Sequence, residues 1–196
     1  MKPRIPLALL TTAGAVSAVL LAGGGQALAA PATPIATPIA TAHGTFGEYN
    51  DTRTASTYDT ELVPEGSRAS VFSLSSPVLG TTTKLGVTGL VPDRHYGAHV
   101  HTKPCGASGT DAGPHFQHEQ DPVSPSTDPA YANPDNEVWL DLHTDARGNG
   151  FAVSHVDWSY SERRPASVVL HEHHTATEPG EAGDAGARLA CVNVNF

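Results

Sequence analysis

Apolar and polar positions alternate most clearly at Val138, Leu140 and Leu142 against Glu137, Trp139, Asp141 and His143. That is the period of a strand with one buried face. The same period runs through Tyr96-Gly97-Ala98-His99-Val100-His101, where Ala98 and Val100 can enter a core while His99 and His101 share the opposite face. No window sustains the i, i+3, i+4, i+7 spacing of an amphipathic helix, and Gly and Pro recur throughout. The pattern predicts strands over residues 44–50, 55–61, 67–75, 81–89, 96–102, 137–144, 150–160, 167–172 and 190–196, with a hairpin turn at 145–150. Eight or nine short antiparallel strands joined by Greek-key connections make an all-β flattened barrel or sandwich. Two stretches fall outside this scheme, residues 103–136 and the Gly-rich, acidic 172–189, and loops of such length in a compact domain are usually functional.

The N-terminal residues follow another pattern. Lys2 and Arg4 precede an apolar run that ends in Gly23-Gly24-Gly25 and Ala27-Leu28-Ala29, which reads as a secretory signal peptide over 1–30 rather than a spanning helix. Residues 31–42 repeat Ala-Thr-Pro-Ile with neither strand nor helix period and are expected to be a linker, leaving 43–196 as one domain. Cleavage would take away Lys2 and Arg4 but no acid, leaving nine basic against twenty acidic residues and a formal charge of −11. Nucleic acid and anionic membrane surfaces are therefore poor partners, and no later apolar run is long enough for membrane insertion. Export also places Cys105 and Cys191, the only cysteines, where a disulfide is expected. Such a bridge would close a loop of about 85 residues, worth roughly 4 to 5 kcal/mol in the chain-entropy picture.

Candidate chemistry gathers around histidine. His99 and His101 lie on the outer face of one strand, and His171 is at the same kind of position in Ser167-Val168-Val169-Leu170-His171-Glu172. The first long loop holds Ala112-Gly113-Pro114-His115-Phe116 and the second ends in Gly183-Asp184-Ala185-Gly186-Ala187-Arg188-Leu189-Ala190-Cys191. Four imidazoles and an arginine could thus meet on one face, a donor set suited to copper, zinc, iron or nickel. A His-x-His pair alone is more often solvated surface. His43, His95, His143 and His155 have no motif around them and read as surface or hydrogen-bonded residues; His173 and His174 adjoin His171 in the loop and are also read as surface.

Residues 90–105, the Ala112 to Phe116 segment, Val169-Leu170-His171-Glu172 and residues 183–191 occur in one chain in this order. Together they resemble the copper/zinc superoxide dismutases, a β-sandwich family, over roughly residues 55–191. The resemblance implies that His99, His101 and His171 bind copper and that His115 is the histidine bridging copper to zinc. It further implies that Arg188 guides the superoxide anion and that Cys105 and Cys191 form the family disulfide.

One departure concerns zinc. Where the family has two further histidines and an aspartate, residues 116–136 offer only His118, with Asp135 near the place of the aspartate. A structural zinc site wants four protein ligands, and His115, His118 and Asp135 supply three at most. The expectation is therefore a copper site with a weak zinc site or none. Asp135, and after it Glu119, is the expected carboxylate behind His115. The implied activity is conversion of superoxide to oxygen and hydrogen peroxide by an exported protein, in the extracellular space, periplasm or cell wall. A secreted copper-buffering module without turnover is the alternative; Arg188 speaks against it. The sequence does not fix the oligomeric state.

Overall fold

The computed structural model describes residues 39–196, so the expected signal peptide and most of the expected linker lie outside the described residues. In chain order the strands are β1 (Ile39–Thr45), β2 (Ala55–Thr57), β3 (Arg68–Ser76), β4 (Gly80–Thr88), β5 (His95–His101), β6 (Leu142–His143), β7 (Gly150–Val156), β8 (Ser167–His171) and β9 (Arg188–Asn193). They form two antiparallel sheets, ordered β1-β3-β4-β7 and β2-β9-β8-β5-β6. The inward positions of both sheets fill a single core: Val71, Leu85 and Val87 from one sheet meet Ala98, Val100, Val168, Leu170 and Val192 from the other. Burying each of these valines and leucines stabilises the fold by roughly 1.5–3 kcal/mol. The architecture is an all-β sandwich, and among the described residues the helical structure is a short 3-10 turn at Gly109–Ala112. No helix among them is long and apolar enough to cross a membrane.

Several expected boundaries differ: β2 ends at Thr57 rather than 61, β7 at Val156 rather than 160, and β9 runs Arg188–Asn193 rather than 190–196. β1 starts at Ile39 and pairs with β3 from Ile39↔Leu74 to Thr45↔Arg68, so residues 39–42, expected as linker, belong to the sheet. Here the small residues Ala40 and Ala42 point inward while Ile39 is half exposed, an inversion of size that hides the strand period. The predicted strand at 137–144 is a ladder only at β6. Residues 137–141 still run along β5, with Leu140 N donating to Ala98 O (2.7 Å) and Val100 N to Val138 O (3.2 Å). The ladder is interrupted because the Asp141 carboxylate takes the Ala98 N–H at 3.1 Å.

The two long loops cover the outer face of the second sheet, which is why β5 and β8 are buried on both sides. A disulfide between Cys105 and Cys191, whose Cα atoms are 5.7 Å apart, fastens the first loop to β9. Gly97 lets the second loop come down onto β5, since a Cβ there would lie 2.4 Å from His173 O and 2.7 Å from Ala185 Cβ.

Candidate metal centre

On β5 the strand period sends His99 and His101 to the loop-covered face, where both are fully buried. β8 runs antiparallel beside it and brings His171 across from Gly97. The first loop returns along β5 through an isolated bridge, His101↔His115, and delivers the fourth ring. One ligating nitrogen from each of His99, His101, His115 and His171 then lies within 4.8 Å of the others.

Hydrogen bonds on the far side of each ring fix its orientation. His101 Nδ1 donates to Gly113 O at 2.9 Å, leaving Nε2 to face the cluster, 3.3 Å from His171 Nε2. His171 Nδ1 points to Gly186 O at 3.5 Å. His99 is turned the other way: its Nε2 meets Thr175 Oγ1 at 2.7 Å, and its Nδ1 is buried with no partner. An orphaned ring nitrogen in a dry site is costly unless something binds it, and a metal ion is a suitable partner. Burial also holds the His99 and His101 rings well below the usual imidazole pKa and brings His171 down to about 3, with the neighbouring rings adding to the effect. All three are therefore neutral near pH 7, the form in which imidazole binds metals.

The fourth ring has a different support. His115 Nδ1 is 2.7 Å from Glu137 Oε2. The same carboxylate, itself buried, accepts from Trp139 Nε1 at 2.7 Å and from Gln117 Nε2 at 2.8 Å. A second carboxylate, Asp141, accepts from Thr175 N (2.9 Å) and Thr175 Oγ1 (2.7 Å), and so lies behind His99. Glu137 and Asp141 occupy the polar positions of the alternating 137–142 segment, and that alternation was the signal available in the sequence. Its meaning depends on the segment lying against β5, which places this polar face behind the histidines.

Arg188 reaches the site through an irregularity between β8 and β9. Leu170 pairs with Ala190 but His171 pairs with Arg188, so Leu189 is an extra residue. Both Leu189 and Ala190 enter the core, and the guanidinium is left on the face of His171. A bulge of this kind re-aims a side chain at a cost of one unpaired residue. Arg188 Nη1 is anchored on Gly109 O (3.0 Å) and Gly113 O (2.7 Å). With His115, His171, Gln117 and Thr102 it lines a cleft of about 330 Å³.

The family model described as copper/zinc superoxide dismutase (SODC) matches residues 71–194, well over half of the chain. The chain belongs to the copper/zinc superoxide dismutase family. Among solved structures, the Cu/Zn superoxide dismutase from Brucella abortus is similar at 18% identity with a TM-score of 0.52, covering 79% of this chain and 97% of that one. The clock protein EA4 is similar at 22% identity with a TM-score of 0.51, covering 81% and 94%. Identities this low speak to the fold alone. Curated proteins give no significant match.

Within that family the four imidazoles fit a single metal ion, with His99 offering Nδ1 and the others Nε2. Geometry does not bring the expected zinc residues together. His118 stacks flat on Trp158, its ring centroid 4.9 Å away and the planes 5° apart. Asp135 is exposed, and its backbone oxygen accepts from Trp158 Nε1 at 2.7 Å. Glu119 is exposed too and its backbone is tied to Asn136. The carboxylate on His115 is thus Glu137, not Asp135 or Glu119, and it occupies the nitrogen that a bridging histidine would give to zinc.

Proposed function

We propose that the protein is an exported, copper-dependent superoxide dismutase whose centre works without zinc. The observation that carries this reading is the Glu137 to His115 contact, because it gives His115 a second partner without a second metal. Copper would be held by His99 Nδ1 and by the Nε2 atoms of His101, His115 and His171, and supplies the one-electron chemistry that turns two superoxide ions and two protons into oxygen and hydrogen peroxide.

The chain's own residues supply the rest. With Nδ1–H donated to Glu137, His115 is kept in one tautomer, and whenever its Nε2 is not holding the metal that nitrogen can take up a proton and give it to peroxide. Such a ring must keep its orientation while its proton comes and goes, and the Trp139 and Gln117 donors hold Glu137 still for it. Arg188 lines the cleft beside His115 and His171 and offers positive charge to an anion. His99 and His101 lie behind, closed off from water. The disulfide is in keeping with an oxidising location outside the cytosol.

The deciding measurement is a superoxide assay on mature protein loaded with one equivalent of copper. Rapid turnover that disappears in His101→Ala together with tight copper binding is the expected result. Stoichiometric copper without turnover would instead identify a copper-buffering protein.

A further inference from the structure

Three more imidazoles gather away from the central cluster, where the start of β5 meets β6 and the loop that follows β8. His95 and His143 are register partners across the two strands, with ring centroids 4.5 Å apart. His174 brings a third ring to 6.2 Å from His95. Centroids in the central cluster are 4.0 to 6.4 Å apart, a range into which both pairs that include His95 fall. All three side chains are exposed.

The third ring is already oriented. His174 Nδ1 makes its hydrogen bond to Thr175 O (3.4 Å) with Asp141 Oδ2 3.2 Å away, so Nδ1–H faces these oxygens and Nε2 keeps the free lone pair. An imidazole backed by a carboxylate is the usual form of a metal-binding histidine, since the carboxylate fixes the tautomer and raises the basicity of the other nitrogen. The ring nitrogens of His95 and His143 have no hydrogen-bond partner among the described residues. The three rings do not converge on one point as they stand. Rotation of the two unpaired, exposed rings between staggered wells is what would bring their nitrogens to about 2.0–2.1 Å from a common ion.

We propose that His95, His143 and His174 form a second, surface site for a divalent late transition-metal ion, with Asp141 supporting His174. The site is separate from the central cluster and shares no ligand with it. It is connected to it through Asp141, which also accepts from Thr175 Oγ1, the partner of His99 Nε2. Three imidazoles and an open position suit zinc(II), nickel(II) or copper(II).

Zinc(II) is the probe. Mature protein whose central cluster holds one equivalent of copper is titrated with zinc(II) near neutral pH by calorimetry, and bound zinc and copper are both counted after gel filtration. One zinc per chain is expected, with affinity falling by about tenfold or more in His143→Ala and in His174→Ala while copper content stays at one. Thermal melts of these exposed-site variants should match the parent, so loss of folding does not enter. Absence of zinc uptake by the parent overturns the site. So does uptake that persists in the His95→Ala/His143→Ala double variant, or that is lost in His118→Ala instead, which would move the second ion to the first loop.

Discussion

A carboxylate with three donors on its two oxygens is held in place, and Glu137 is in that position against His115, Trp139 and Gln117. Replacing it by Ala should weaken copper binding by about 10- to 100-fold, the usual cost of losing the group behind a ligating histidine. Glu137→Gln keeps an acceptor for Nδ1–H and should retain the full copper equivalent. Competition against a chromophoric chelator measures both, and a Glu137→Ala protein that binds like the parent would remove Glu137 from this role. Because His118 lies on Trp158 rather than at the cluster, His118→Ala should leave copper content unchanged. His99, His101 and His171 were legible because a strand period shows which residues share a face. Glu137 was visible only as one polar residue among several, because its partner His115 comes from a loop whose path no local pattern records. The same blindness made Asp135 look suitable: its place in the chain is close to Glu137, but its side chain faces solvent.

Strands with clean alternation, such as β3, β4 and β5, fell within a residue or two of their predicted bounds. β1 was displaced because its inward residues are alanines and its outward one is isoleucine, the reverse of the usual sign. The bulge between β8 and β9 could not be read at all, since an extra residue leaves no mark in a short apolar run. Yet the bulge sets the direction of Arg188. Without Leu189 as the additional residue, His171 would lie opposite a core side chain, and the guanidinium would not share its face. Arg188→Glu should therefore depress dismutation strongly while copper content stays at one equivalent, because Arg188 binds the carbonyls of Gly109 and Gly113 and no ring of the cluster. Steady-state rates paired with metal analysis separate the two effects. An unchanged rate would show that the cation has no part in anion approach. The parent rate should also fall with rising salt, as attraction to one partly buried cation in an acidic chain is screened.

At the scale of the whole molecule, three of the site's imidazoles, His99, His101 and His171, are buried and neutral, and that ties folding to pH. In the unfolded chain a histidine takes up its proton near pH 6.5. In the folded apoprotein burial keeps His99 and His101 from doing so until well below that value, and His171 until about pH 3. Between those limits the unfolded state binds more protons, so stability rises with pH across the window and falls as acid is added. Above about pH 6.5 these groups are neutral in both states and the dependence from them vanishes. Denaturant unfolding of metal-free mature protein should thus show a lower midpoint at pH 5 than at pH 7.5, in a range where most carboxylates remain ionised. A His101→Gln/His171→Gln variant, which has no proton to gain at these positions, should show a flatter profile over the same range. Copper should raise the midpoint at pH 7.5 by mass action, because it binds the folded cluster and not the open chain. It should also make the fall with acid steeper at fixed free copper, as protons compete for the same lone pairs. If the metal-free parent and the double variant lose stability in parallel from pH 7.5 to 5, the buried rings are not what couples this fold to acid, and the cluster must already be open to water before the metal arrives.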